Sequence, residues 1–283
     1  MRIAIPTESV FAPLWENYDA LQQQQETPFE IHRGKQEECE RLLANNRVDV
    51  ALISPLAYGN SSVIRDYRIV PSTVCVAHGW TNIISIIFSE NADIITTAAS
   101  TAPRSFMTEA ARIVLDEQYE IELQMHEVPS FTQQVLQRYV CMIGRSEELE
   151  GFRGLDLGEE WELAFSIPLP LGIWVCRNDY VLDAGSGVIE RMEQIVRTTI
   201  GIARPGIHAR EQCYEQQSIG DADLREGEMQ WLWSEDLDEV LQQTMQLMYY
   251  RQILSDMPEI KILGRDEEEL SEESPSEPNP DQQ

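Results

Sequence analysis

The sequence predicts an α/β protein. Short apolar runs rich in β-branched residues alternate with amphipathic stretches of helical period, and the first of them read strand, helix, strand, the order that builds a parallel sheet. At 283 residues the chain can bury a large core in one large or two medium domains.

Arg2 to Pro6 is the first apolar strand, and Phe11 to Gln25 is a helix entered at Pro13. Glu37 to Asn45 is a second helix, amphipathic through Cys39, Leu42 and Leu43, and Val48 to Ile53 is a buried strand closing at Ser54-Pro55. Tyr67 to Pro71 and Val74 to Ala77 are short strands, followed by the β-branched run Asn82 to Phe88. Ile94 to Ala98 opens a new unit whose helix, from about Pro103 to Tyr119, buries Ala110, Ala111, Val114 and Leu115. Pro129 to Gln137 is a further helix.

Val140 to Arg177 is the most distinctive stretch. Tyr139 to Gly144 and Ile173 to Cys176 read as buried strands bounded by glycine, and between them Asp156-Leu157-Gly158 turns into a helix whose first turn carries Glu159 and Glu160. Pro168 and Pro170 keep the approach to the last strand extended, because each ring fixes φ and biases its predecessor away from helix. Beyond the Gly185-Ser186-Gly187 turn, Ile189 to Ile202 and Leu237 to Leu254 are helices. From Gly264 onward eight acidic residues stand against one arginine, too little apolar surface to offset ordering entropy, so the end of the chain is expected to be a disordered tail.

The formal charge is −28, and only Lys35 and Lys261 among the 21 basic residues are lysines. That field repels nucleic-acid backbone and anionic membrane, and it fits either adaptation to high salt or a lineage bias. The start of the chain enters a strand pattern at once and no run approaches the roughly 20 apolar residues that span a bilayer, so a cytoplasmic protein is expected. Cys39, Cys75, Cys141, Cys176 and Cys213 are scattered without CxxC spacing, which reads as small buried hydrophobes rather than a disulfide or zinc framework. The four histidines, His32, His78, His126 and His208, share no metal-ligand spacing. There is no GxSxG, Walker or GxGxxG motif.

The order Ile143-Gly144, Asp156-Leu157-Gly158, Trp161, Pro168 and Trp174 resembles the menaquinone-biosynthesis family of the futalosine route, which includes chorismate dehydratase. Asp49 to Tyr58, Tyr67 to Pro71, Ser85 to Ser89, Arg112 to Tyr119 and Met248 to Leu263 extend the resemblance over nearly the whole chain apart from the tail. It implies a two-lobed type II periplasmic-binding-protein-like fold, with mixed sheets flanked by helices. Residues 1–84 and 179–264 would form a discontinuous first lobe, 85–178 an inserted second lobe and 265–283 the tail.

The chain departs from the family pattern where ligand contacts are expected. Val10 stands for a cleft-lining asparagine. Phe106 and Met107 stand for a threonine-serine pair unless the register slips to Ser100-Thr101. Ile84 meets a serine position that only a bulge gives to Ser85, and Arg145 reverses an acidic charge.

Ser54, Asn82, Ser85, Ser100, Thr101 and Ser105 lie at strand ends or a helix start, where hydroxyls either line a crevice or cap a turn. Arg104 and Arg145 can hold a carboxylate bidentately or pair with surface acids. The expected substrate-binding set is Ser54, Asn82, Ser85, Arg104, Ser105 and Arg145, with no catalytic residue assigned and no metal or organic cofactor implied. The resemblance implies a lyase that dehydrates chorismate to 3-[(1-carboxyvinyl)oxy]benzoate. The other reading is a non-catalytic protein that closes on a small anion or aromatic acid.

Overall fold

The computed structural model describes residues 1–24, 29–62, 64–90, 94–183, 187–214 and 225–265. The chain opens with β1 (Arg2–Pro6), a 3-10 helix (Ser9–Leu14), α1 (Tyr18–Gln23), β2 (Glu30–Gly34), α2 (Gln36–Ala44), β3 (Val50–Ile53), α3 (Pro55–Ser62) and β4 (Tyr67–Gly79). It then runs through β5 (Ile84–Phe88), β6 (Thr97–Ser100), α4 (Phe106–Tyr119), β7 (Gln124–Glu127), α5 (Gln133–Tyr139), β8 (Cys141–Arg145), β9 (Leu155–Asp156) and α6 (Leu157–Phe165). β10 (Leu169–Arg177), α7 (Asn178–Leu182), α8 (Val188–Ile202), β11 (Arg210–Tyr214), β12 (Glu226–Leu232) and α9 (Leu237–Tyr250) complete it.

Two sheets result. The first has seven strands in the order β11-β12-β4-β10-β3-β1-β2, so both ends of the chain build one lobe. The second has five, β7-β6-β8-β5-β9, all from the middle of the chain. The predicted parallel unit is present, with β1 pairing β3 in parallel. β2, unforeseen because its burial is only partial, adds in parallel on the other side of β1.

β4 and β10 run antiparallel in the centre of the first sheet and carry the chain to and from the second. Residues 169–177, expected within the inserted block, thus hydrogen-bond in the first sheet. Pro170 is accommodated at a register shift before Gly172, the kind of irregularity where a missing N–H is tolerated. β4 was expected as two strands broken near Pro71, yet it is continuous, because a second shift between Ile173 and Val175 absorbs the residues opposite. Being central, β3 and β10 are buried on both faces, and Trp174 meets its one polar need by donating Nε1–H to Thr73 Oγ1 at 2.9 Å.

The helix expected from Phe11 divides into the 3-10 turn containing Pro13 and the short α1. α4 starts three residues after Pro103, where Ser105 caps it by accepting the Thr108 N–H. Of the acidic tail only Arg265 falls within the described residues. All five cysteines are free. Among the described residues no helix is long and apolar enough to cross a membrane.

Candidate functional site

The two sheets meet along a cleft, and a cavity of about 50 Å³ lies within it. From the first lobe come Glu8, in the turn after β1, and Lys35, Gln36 and Glu37 at the start of α2. From the second come Ile84, Ser100 to Ala102, Ser105, Met107 and Thr108 at the start of α4, Gly144 and Arg145 at the end of β8, and Glu148. The cavity is thus bordered by the N-termini of α2 and α4, whose dipoles favour an anion, while the Gln36 and Thr108 N–H groups there are taken by Glu8 and Ser105. A groove of about 780 Å³ shares Lys35, Glu37, Thr101, Ala102 and Ser105 with it and extends outward past Arg104 and Arg112. Small-molecule sites run to about 300–1,000 Å³, so a ligand larger than a few atoms needs both spaces or an opening of the cleft.

Backbone geometry fixes each wall. Gln36 is buried and donates its side-chain Nε2–H to Leu171 O at 3.0 Å, anchoring the start of α2 to β10. Its backbone N–H donates to Glu8 Oε1 at 3.1 Å, while Glu8 Oε2 is buried with no hydrogen-bond partner. Across the cavity, Ser105 and Ser100 hydroxyls each lie 3.1 Å from Thr108 Oγ1, which itself donates to Ala102 O at 2.9 Å. The hydroxyl protons of this cluster are therefore used internally.

Arg145 donates to Glu148 Oε1 at 2.8 Å and lies 3.7 Å from Glu147. Its pKa is raised, first by that hydrogen bond and despite burial, so its charge is secure. Burial works to raise the Glu148 carboxyl, but hydrogen bonds from Arg145 and Thr101 and the charge of Arg145 hold it below its ordinary value. Ser9 of the first lobe donates to Glu147 of the second at 2.7 Å, tying the rim of the cleft.

The connection between the lobes is equally specific. Gly79 adopts φ +62° at the end of β4, a region costly for any residue with a Cβ. The buried Asp156 accepts N–H groups from Thr81 and Asn82 in the connection between β4 and β5 and from Glu159 at the start of α6. A Cβ on Gly158 would sit 2.5 Å from Gly79 O, so glycine there permits the close packing of α6 on the connection.

The Menaquinone biosynthesis family model matches residues 5–259. The chain belongs to the menaquinone biosynthesis family. No curated protein matches its sequence. By fold this family member is similar to the periplasmic aliphatic sulphonate binding protein SsuA from Escherichia coli, at TM-score 0.56 and 13% identity over 93% of this chain and 97% of that one. SsuA from Xanthomonas axonopodis pv. citri, solved bound to MOPS, gives TM-score 0.53 at 13% identity, covering 91% and 95%. An Archaeoglobus fulgidus protein gives 0.55 at 16% identity, covering 89% and 97%. The fold is the two-lobed periplasmic-binding-protein one.

In this menaquinone biosynthesis protein Ser105 and Arg145 line the inner cavity, and Arg104 with Ser105 lines the outer groove. The other three expected contacts lie outside both. Ser54 is buried behind the cleft, donating to Glu40 at 2.6 Å and accepting the Ala57 N–H at 3.2 Å. Asn82 has φ 55° in the connection and gives its backbone N–H to Asp156. Ser85 pairs with Ser146 at 2.7 Å. Ser100 and Thr101, the alternative register, do line the cavity. Phe106 is in the core and Val10 packs against it, whereas Met107 reaches the cavity wall. His78 is engaged with Gln230 at 2.8 Å in the first sheet.

Sequence reading missed Glu8, Lys35, Gln36 and Glu148 as cavity residues. Only Lys35 carried a signal, as one of two lysines in a very acidic chain.

Proposed function

We propose that this protein dehydrates chorismate to 3-[(1-carboxyvinyl)oxy]benzoate as a step of menaquinone synthesis, the reading that family membership supports at the level of the pathway. The observation that carries it is the cleft cavity bordered by two helix N-termini together with Lys35 and Arg145. Chorismate is a small dicarboxylate, and each carboxylate needs amide or charge-assisted donors in a closed site. The α4 end with Arg104 or Arg145 serves one, and Lys35 the other. Loss of a ring proton and the adjacent hydroxyl aromatises the ring, so the cleft has mainly to orient the substrate, exclude water and move one proton. We assign the two lobes to residues 1–84 with 179–264 and to 85–178 except for β10, which returns to the first sheet, and for Ile84, which starts β5 of the second, opening about the connection at Gly79 to Asn82 to admit the ligand. The reaction belongs in the cytoplasm, and recovery of the protein from a periplasmic fraction would overturn that.

The test is incubation of the purified protein with chorismate at adequate salt, followed by mass analysis. The expected product is the aromatic acid lighter by one water. No product at high protein concentration would sink the dehydratase reading. A specific observation favours the second reading, a binding protein without turnover: Arg145 is already paired by Glu147 and Glu148, and the hydroxyl protons at the start of α4 are spent within their own cluster. Calorimetric binding of chorismate with no product would select that reading.

A further inference from the structure

We infer that Lys35 and Arg104 are the specificity-determining residues of the cleft, one cation from each lobe, which together select a ligand with two separate carboxylates over a ligand with one. This rests on the reading of the cleft as a dicarboxylate site and adds the residues that read the second charge. Both line the outer groove of about 780 Å³, Lys35 from the first lobe and Arg104 from the second. Acidic residues outnumber lysines and arginines by 49 to 21 in this chain, so a cation left unpaired stands out. The other arginine of the groove, Arg112, is taken by Glu109 at 2.8 Å, and Arg145 of the inner cavity is taken by Glu148. Among the described residues the side chains of Lys35 and Arg104 make no hydrogen bond or ion pair. Glu37 and Glu127, the remaining acids of the groove, are exposed and lie beyond ion-pair distance of both.

The two backbones are fixed while the two charges stay free. Lys35 immediately precedes α2, and the next residue, Gln36, is buried and anchored by its side chain to Leu171 O in β10 at 3.0 Å. Arg104 immediately precedes Ser105, which caps α4 by accepting the Thr108 N–H at 3.3 Å. Each exposed cation therefore projects from a set point on its own lobe.

Discrimination follows from the charge of the whole chain. A field set by −28 repels an anion, and a second charge on the ligand doubles that cost unless a local cation offsets it. A charge-assisted contact from Lys35 to one carboxylate and from Arg104 to the other supplies the offset. A ligand that spans both cations also ties one lobe to the other. The diacid thus favours the closed cleft, whereas a monoacid engages only one cation and leaves the lobes unlinked.

The test is calorimetry with 3-[(1-carboxyvinyl)oxy]benzoate as the diacid and 3-methoxybenzoate as the monoacid, which keeps the ring carboxylate and the ether oxygen. Wild type should bind the diacid about 10-fold or more tighter than the monoacid. Lys35→Gln and Arg104→Gln should each weaken the diacid about 10-fold. One of them, lacking the cation for the ring carboxylate, should weaken the monoacid as well, and the other should leave the monoacid within about twofold of wild type. Arg197→Gln makes the same change of net charge at an exposed pair on α8 and should leave both affinities within about twofold. A wild type that binds neither acid, or binds both within about twofold of each other, overturns the inference. So do Lys35→Gln and Arg104→Gln proteins that keep the diacid affinity of wild type, or an Arg197→Gln protein that loses as much as they do. The dehydratase reading fails separately, on chorismate that gives no product, and a diacid preference that depends on Lys35 and Arg104 upholds the pair in that case too.

Discussion

At Ser54 one hydroxyl does two structural jobs, donating to Glu40 Oε1 and accepting the Ala57 N–H in the first turn of α3. Burial pushes the Glu40 carboxyl up to about 7 against the hydrogen bonds from Ser54, so the serine also limits the cost of a buried acid. Ser54→Ala should therefore destabilise the fold by about 1–2 kcal/mol in urea unfolding while leaving ligand affinity unchanged. Weakened binding with unaltered stability would place Ser54 back in the site. The position looked like a ligand contact because a serine at the end of a buried strand has two uses in an α/β fold, and sequence does not separate them. Ser105 illustrates both at once, capping α4 while bordering the cavity.

At the scale of elements, the connection from β4 to β5 depends on Asp156, which joins it to α6 through three backbone N–H groups. Burial pushes its carboxyl up to about 6 in spite of those donors. A raised folded-state pKa contributes stability that is fully present below the ordinary carboxylate range and is lost as pH rises through the folded value. Asp156 therefore favours the folded state below about pH 4 and stops doing so above about pH 6, and Glu40 acts in the same sense up to about pH 7. The depressed carboxyls Asp49, Asp66 and Glu148 oppose this at lower pH, where their protonation costs stability. Unfolding free energy should thus rise as pH is lowered from about 8 to about 5, with Asp156 contributing on the order of 1 kcal/mol over that range. Asp156→Asn should flatten that slope and lower stability at all pH values, since an amide cannot accept from all three donors. A profile parallel to wild type would show that the titration lies elsewhere. The motif Asp156-Leu157-Gly158 was legible in sequence as a helix entry. Its partners Thr81 and Asn82, more than 70 residues away, were not.

Over the whole molecule the charge of −28 sets a repulsive background against which the specific pairs operate. Raising salt from about 0.1 M to about 1 M shortens the screening length from about 10 Å to about 3 Å, so Tm should increase over that range. A flat or falling Tm would mean that the ion pairs outweigh the net repulsion. The alternation of strands and helices was legible because it depends on local periodicity, and the family resemblance extended it to two lobes. Boundaries shifted where a long-range partner intervened, as at β4, whose proline is absorbed by a register shift against β10. By itself the sequence determined the α/β class, the family pattern and the helix-start and strand-end signals, since these are written in neighbouring residues. Only the tertiary structure decided that Glu8, Lys35, Ser105 and Arg145 share one cavity while Ser54, Asn82 and Ser85 do not. The walls of that cavity come from segments up to 140 residues apart, and what brings them together is the pairing of β4 and β10 and the closure of one sheet upon the other, which no local pattern encodes.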